Sequence, residues 1–494
     1  MKYQSTRNKN TVVDSAYAIA HGISVEGGLF IPESVPALTA DDFAKLSDMS
    51  YVEKAEYIFS KFLTDFTAEE ISYCAKGAYL GNFDNDKPAP LYALDDNTSV
   101  LELWHGPTCA FKDHALQILP YLLTTSAKKV SDGKKTVILV ATSGDTGKAA
   151  LEGFCDVPDT EIMVFYPSDG VSPMQKRQMA TQKGENVYVC ALHGNFDDCQ
   201  TGVKTIFTDA SAKEALAAHN MEFSSANSIN WGRLAPQIIY YISAYCDLLK
   251  EGKDLKNGFN VVVPTGNFGN ILAAYYAKMM GVPVKKLICA SNSNNVLTDF
   301  LKDGTYDRNR AFYTTVSPSM DILISSNLER MLAELTNHDD IKVSGWMKEL
   351  SEKGKYTVDR DTLSKIKELF YGGFCSEEAT YETIKNTFEN YGYLIDTHTA
   401  VAVSVYEDYK AETGDTAPTV IASTASPYKF AKSVLEALGE KASEDEFETV
   451  DILSKKTNTA IPESLAALKN ATVRFSDICE KEAMQKVVFD RLGI

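Results

Sequence analysis

The sequence predicts an α/β protein organised around parallel β-sheet. Three observations carry this. Short apolar runs recur between residues 137 and 422, each long enough for one buried strand. A turn and a helical pattern follow most of these runs, which is the alternation of a parallel sheet. Two of the turns are rich in glycine and hydroxyl residues and open directly into a helix, the place where such sheets bind ligands.

In chain order, residues before about 91 form an N-terminal appendage. Its GGLFIPESV opening reads as a strand with a proline, and helices are expected over 41–62 and 68–76. The segment 101–117 (LELWHGPTCAFKDHALQ) sets Lys112 between a Gly-Pro-Thr turn and an apolar helical pattern. Strands follow at 137–141 (VILVA), 162–166 (IMVFY) and 187–192 (VYVCAL). Further strands are expected at 260–263, 287–290 and 420–422, with an Ala-rich helix over 271–280. Residues 343–391 are charged and read as a helical insertion, and 431–494 as helix and loop. No internal repeat or low-complexity segment occurs.

Composition bounds the function. A chain of 494 residues is long enough for about three domains. With 44% hydrophobic and 23% charged residues it has an ordinary globular composition. The formal charge of −18 argues against nucleic acid, whose phosphates need clustered Lys and Arg. No run of eighteen apolar residues spans a membrane, and MKYQSTRNKN has no apolar core of a secretory signal, so a cytoplasmic protein is expected. Nine scattered cysteines without a C-x-x-C pair point to a reducing compartment and away from zinc. None of the seven histidines has metal-ligand spacing, so no metal is expected. His105 and His114 flank Lys112 and are candidates to line its site. Cys109 has no assignable histidine partner and is not read as a nucleophile.

The chemistry lies in the loops. Cys109, Ala110 and Phe111 precede Lys112, so its amine is expected in an enclosed site, and a desolvated lysine amine is a Schiff-base nucleophile. ATSGDTGKAA (141–150) brings Ser143 and Thr146 to a helix N-terminus, where free N–H groups and the helix dipole favour an anion. It is not a P-loop, because Thr142 stands where that motif needs glycine. VVVPTGNFGNILAA (261–274) places Gly266 and Gly269 around Asn267 and Phe268, with Asn270 next, a main-chain phosphate cradle. No G-x-G-x-x-G occurs, which disfavours a nicotinamide dinucleotide. SANSINWGRLAPQ (225–237) offers Ser228, Asn230 and Arg233 at a helix start, with the guanidinium able to grip a phosphate. IASTASPYKF (421–430) ends a strand in Ser423 and Thr424. Each loop alone also fits a plain turn or helix cap. Together with an enclosed lysine they fit a phosphorylated aldehyde cofactor, pyridoxal phosphate.

The motifs STRN, ELWHGPTCAFKD, ATSGDTG, GVSPMQKRQM, NSINWGR, PTGNFGN, SPSMDILISSNLER and STASPYKF, in this order, resemble threonine synthases. That family belongs to the tryptophan-synthase-β-like, fold-type II pyridoxal-phosphate enzymes. The resemblance spans nearly the whole chain. It implies two parallel-sheet α/β domains: a large cofactor-binding one from 96–112 and 226–430, and a small one from 113–225. The appendage (1–95) and a helical extension (431–494) flank them. It implies that Lys112 carries the cofactor and then moves protons, that Gly266, Asn267, Phe268, Gly269 and Asn270 hold its phosphate, and that Thr424 faces the pyridine nitrogen. It implies O-phospho-L-homoserine as substrate, bound by Ser143, Thr146, Ser228, Asn230 and Arg233, with threonine and phosphate as products. A monomer is expected, with a dimer as the alternative. Ser426, Tyr428 and His114 depart from the family's usual residues. Asp145, where many fold-type II relatives have Asn beside the ring hydroxyl, is usual for this family. The rival readings are a dehydratase or sulfhydrylase of the same fold, which need no arginine for a leaving phosphate, and a non-catalytic phosphate-ligand module, which needs no lysine.

Overall fold

The structure is a computed structural model that describes residues 1–494 apart from 132, 143, 169 and 170, and the side chain of Asp197 also lies outside the description. Two twisted sheets dominate. The larger has six strands in the order Phe370–Phe374, Val284–Ser291, Phe259–Pro264, Thr419–Ser423, Thr98–Glu102 and Leu91–Ala93. The first five run parallel and only Leu91–Ala93 is antiparallel. Every residue of Phe259–Pro264 is buried, as expected of a central parallel strand covered on both faces. The smaller sheet has five parallel strands in the order Ile478–Cys479, Val187–Leu192, Thr160–Pro167, Lys135–Ala141 and Met221–Ser224.

The chain passes from the large sheet to the small one just after Lys112, through the helices Asp113–Leu116 and Leu119–Val130. It returns after Met221–Ser224 along the helix Trp231–Lys250. The buried Trp231 ring meets Tyr3, Phe62 and Tyr276 at 5.4–5.6 Å between centroids. The appendage is therefore packed into the main core by aromatic contact. Its three short strands, Tyr3–Ser5, Asn8–Val13 and Phe30–Pro32, form an antiparallel sheet.

Several expectations need correction. The helix expected over 41–62 is two helices, Ala40–Asp48 and Tyr51–Phe62. Ser50 accepts from Glu53 N while Glu53 accepts from Ser50 N, a capping box that starts a new helix. The insertion at 343–391 is not wholly helical, since Phe370–Phe374 is the edge strand of the large sheet, with Leu287 opposite Phe370. Its FYGGF sequence conceals a strand because glycine has low β-propensity. The packing explains the glycines: a Cβ on Gly373 would lie 2.6 Å from Val405 Cγ1. The extension at 431–494 is likewise not only helical, because Ile478–Cys479 extends the small sheet alongside Ala191 and Leu192. Two residues are too few to show a period. Among the described residues, no helix is long and apolar enough to cross a membrane.

Candidate active site

The carboxyl ends of strands from both sheets converge on Lys112. Local sequence shapes the approach. The Asp113 carboxylate accepts from Thr108 N at 2.8 Å and Thr108 Oγ1 at 2.7 Å, which folds the Gly106–Thr108 turn over it. Cys109 takes a left-handed φ of 57°, and Phe111 N donates to Thr424 O at 2.9 Å. Lys112 is thus tied by its neighbours to the end of strand Thr419–Ser423. Its Nζ donates to Ser319 Oγ at 3.2 Å and lies 3.7 Å from Asp145 Oδ2. Asp145 opens the helix that follows strand Lys135–Ala141. Its Oδ1 is 2.6 Å from the fully buried Lys429 Nζ and accepts from Gln175 Nε2 at 3.0 Å.

Burial pushes the Lys112 amine below its ordinary value, Asp145 opposes this, and the Lys429 and Arg233 cations reinforce it. Burial alone would raise Asp145, but Lys429 and Lys112 hold its carboxyl well below the usual carboxylate range. The result is a lysine whose charged form is disfavoured beside a carboxylate whose charged form is favoured, a setting that suits Schiff-base chemistry.

The turn after Phe259–Pro264 leads into the helix Gly269–Met279. A Cβ on Gly266 would lie 2.7 Å from Ser319 O, so glycine there lets the Ser319 turn approach. A Cβ on Gly269 would find only Asn327 Nδ2 at 3.5 Å and Gln237 Nε2 at 3.7 Å. Phe268 turns its ring away to pack on Phe370, 5.7 Å between centroids, and keeps a left-handed φ of 63°. Asn267 is exposed and its carbonyl accepts from Asn327 N at 3.1 Å. Asn270 Oδ1 accepts from Tyr241 Oη, while Nδ2 is buried with no hydrogen-bond partner among the described residues. A helix N-terminus with an unused buried donor and open space above a glycine fits a phosphate monoester.

The remaining predicted residues divide. Arg233 is buried rather than superficial; it donates to Ala226 O at 2.5 Å, and its Nε has no partner among the described residues. Burial draws its pKa down to about 10, with no carboxylate among the described residues offsetting it. Ser228 is half-buried, 3.4 Å from Ser326 Oγ, and Thr146 lies half-buried in the first turn after Asp145. Thr424 is buried beside Phe111. Ser143 lies outside the described residues. Asn230 also caps the helix: its Oδ1 accepts from Gly232 N at 2.8 Å and its Nδ2 donates one hydrogen to Ile19 O at 2.7 Å.

The flanking histidines do not face the amine. His114 is fully buried among Tyr51, Phe83 and Tyr240, and burial pushes it down to about 3. His105 lies between Glu102 Oε2 at 2.8 Å and Asp84 Oδ1 at 2.6 Å. Burial pushes the Cys109 thiol up to about 12, consistent with an inert side chain. Four residues assigned no role from sequence stand at the site's centre: Ser319, Lys429, Gln175 and His398. Three of them lie inside the quoted motifs SPSMDILISSNLER, STASPYKF and GVSPMQKRQM, so the motifs held the only available signal.

Comparison with known proteins agrees with this geometry. Residues 94–425 match the family model for pyridoxal-phosphate dependent enzymes, residues 2–79 that for the threonine synthase N terminus, and residues 399–488 the C-terminal threonine synthase model. Threonine synthase-like 1 of Homo sapiens is 40% identical over 432 residues, 85% of this chain and 57% of that protein. The chain thus spans little more than half the length of those relatives. Threonine synthase of Saccharomyces cerevisiae is 39% identical over 467 residues, covering 88% of this chain and 89% of its own. The crystal structure of PLP-bound threonine synthase from Brucella melitensis superposes with a TM-score of 0.89 at 36% identity, covering 99% of each chain. Identity of 39% over nearly nine-tenths of both chains in one comparison, and of 36% on a shared fold over 99% of both in another, means that this chain belongs to the threonine synthase family of pyridoxal-phosphate dependent enzymes.

Proposed function

We propose that the chain converts O-phospho-L-homoserine and water into L-threonine and inorganic phosphate. The observation that carries this reading is Arg233, a buried guanidinium with no carboxylate partner among the described residues, acting electrostatically on Lys112. A desolvated, uncompensated cation is costly unless an anion joins it. The substrate phosphate is such an anion, and it must leave during the reaction. Dehydratases and sulfhydrylases have no leaving phosphate to hold.

In this reading Lys112 holds the cofactor, and the Gly266–Asn270 turn binds its phosphate through main-chain N–H groups and Asn270 Nδ2. Thr424 offers the pyridine nitrogen a neutral hydroxyl. When bound, pyridoxal phosphate supplies a conjugated sink for the electron pair left at the substrate Cα. Lys112, whose charged form burial disfavours, takes the Cα proton and later returns it. Arg233, with Ser228, Thr146 and Ser143, holds the phosphate as the Cγ–O bond breaks. In the net change Cγ exchanges phosphate for hydrogen and Cβ exchanges hydrogen for the hydroxyl of water. The domain division at 95/96, 112/113, 225/226 and 430/431, a cytoplasmic location and a monomeric state belong to the same reading.

The test is to incubate the purified protein with O-phosphohomoserine and measure threonine and phosphate in equal amounts. Lys112→Ala should abolish turnover, and borohydride should fix the cofactor to Lys112 in the unsubstituted protein. Equal turnover of serine or threonine without phosphohomoserine activity would instead favour a dehydratase.

A further inference from the structure

Behind Lys112 lies a chain of buried contacts that none of the roles above uses. Asp396 caps the helix Thr397–Thr413, accepting from His398 N at 2.9 Å and Thr399 N at 3.0 Å. The same carboxylate lies 2.7 Å from His398 Nδ1. The other ring nitrogen, Nε2, is 3.2 Å from Ser319 N. A backbone N–H only donates, so Nε2 must accept. The ring proton must then sit on Nδ1, facing Asp396, and the imidazole is a single neutral tautomer. Phe430 packs on the ring at 4.8 Å between centroids and holds its plane.

Ser319 lies in the one-turn helix Pro318–Met320. Its Oγ is 3.3 Å from Asp145 Oδ2 and 3.2 Å from Lys112 Nζ. The carboxylate can only accept, so the serine proton points to Asp145 and a serine lone pair faces the amine. An amine that donates one N–H to Ser319 has its own lone pair turned elsewhere, free to attack or to take a proton.

We propose that Ser319 is a further catalytic residue, which aims the Lys112 amine and holds its ion pair with Asp145 at the loose 3.7 Å seen, and that Asp396 and His398 are positioning residues that fix the Ser319 turn. This rests on Lys112 being the reacting amine. The charged groups around that amine are Asp145, Lys429 and Arg233, and the titratable group facing His398 is Asp396. Without the Ser319 hydroxyl, Lys112 moves closer to Asp145, tightens that ion pair and keeps its proton to higher pH. The same follows when His398 no longer accepts from Ser319 N.

The experiment reads Lys112 directly. Cofactor-free protein is reductively methylated across a pH series, and Lys112 modification is quantified by mass spectrometry, with thermal unfolding measured alongside. For Ser319→Ala and for His398→Leu the midpoint of Lys112 reactivity should move upward, with labelling at neutral pH about threefold slower or more, equivalent to roughly half a pH unit. The double variant should show no further shift, because both changes act through one contact. His398→Gln, whose amide oxygen can accept from Ser319 N, should restore most of the wild-type midpoint. An unmoved midpoint in Ser319→Ala overturns the proposal even if turnover falls. A lowered melting temperature with an unmoved midpoint in His398→Leu makes the dyad purely structural and overturns its positioning role. If His398→Leu does not fold, Ser319→Ala and His398→Gln still decide. Cofactor fixed on a lysine other than Lys112 would instead defeat the underlying assignment, a distinct outcome.

Discussion

Arg233 and His105 show how burial turns ordinary residues into specific ones. Arg233→Ala removes a charge-assisted, bidentate-capable contact worth roughly 1.5–3 kcal/mol. At about 1.4 kcal/mol per tenfold, kcat/KM for phosphohomoserine should fall at least about tenfold. The absorbance of the Lys112-bound cofactor should stay unchanged, and inorganic phosphate should inhibit the variant less than the wild type. Full retained activity would make Arg233 a capping residue. His105 is a pH-dependent strut. Burial disfavours its charge, but the Glu102 and Asp84 carboxylates outweigh this and its pKa is raised above 6.5. A raised folded-state pKa stabilises the fold fully below the unfolded value, and the contribution is lost as pH rises through the folded one. The melting-temperature gap between wild type and His105→Gln should therefore be larger at pH 6 than at pH 9. An equal gap would show that packing alone matters there. Sequence placed both residues near the site, but could not tell that Arg233 is uncompensated or that His105 faces two carboxylates.

At the scale of elements, the helix Gly269–Met279 links sequence to binding most directly. Gly269 has space for a side chain within the protein itself, so Gly269→Val should fold but fill the space expected to hold the cofactor phosphate. Ala274, buried further along the same helix, tests packing alone. Equilibrium dialysis should show a far larger loss of cofactor affinity in Gly269→Val than in Ala274→Val, and equal retention would remove the cradle. Strands with strong local character were legible. Val187–Leu192 stands where its apolar run predicts, the other five strands expected between 137 and 422 extend by one to three residues at one or both ends, and the GGLFIPESV opening holds the short strand Phe30–Pro32. Met221–Ser224 and Phe370–Phe374 were not legible, because an edge strand lacks a continuous apolar run and paired glycines look like a turn.

At the scale of the molecule, residues 431–494 span both sheets. Leu453, Leu465 and Leu468 share a core with Val262 and Ile421 of the large sheet. Met484 and Val488 pack with Cys190 and Leu192 of the small one. Arg177 holds the crossing, donating to Leu468 O at 3.0 Å and Ala471 O at 2.7 Å, while Arg474 donates to Gln182 O and Gly184 O at 2.9 Å. Arg177→Ala should cost about 1–3 kcal/mol in urea unfolding and raise hydrogen exchange at 471–492. Unchanged exchange would show that strand pairing at Ile478–Cys479 holds the segment unaided. By itself the sequence determined the alternation of strand and helix, the strand-end loops, the enclosed lysine and the family resemblance, because these depend on residues close together in the chain. Only the tertiary structure decided that Asp145 sits between Lys112 and Lys429, that Asn230 reaches back to Ile19, and that Asp396 and His398 reach Lys112 through Ser319. Those partners lie tens to hundreds of residues apart, and no local pattern encodes which distant hydrogen-bonding groups folding will bury together.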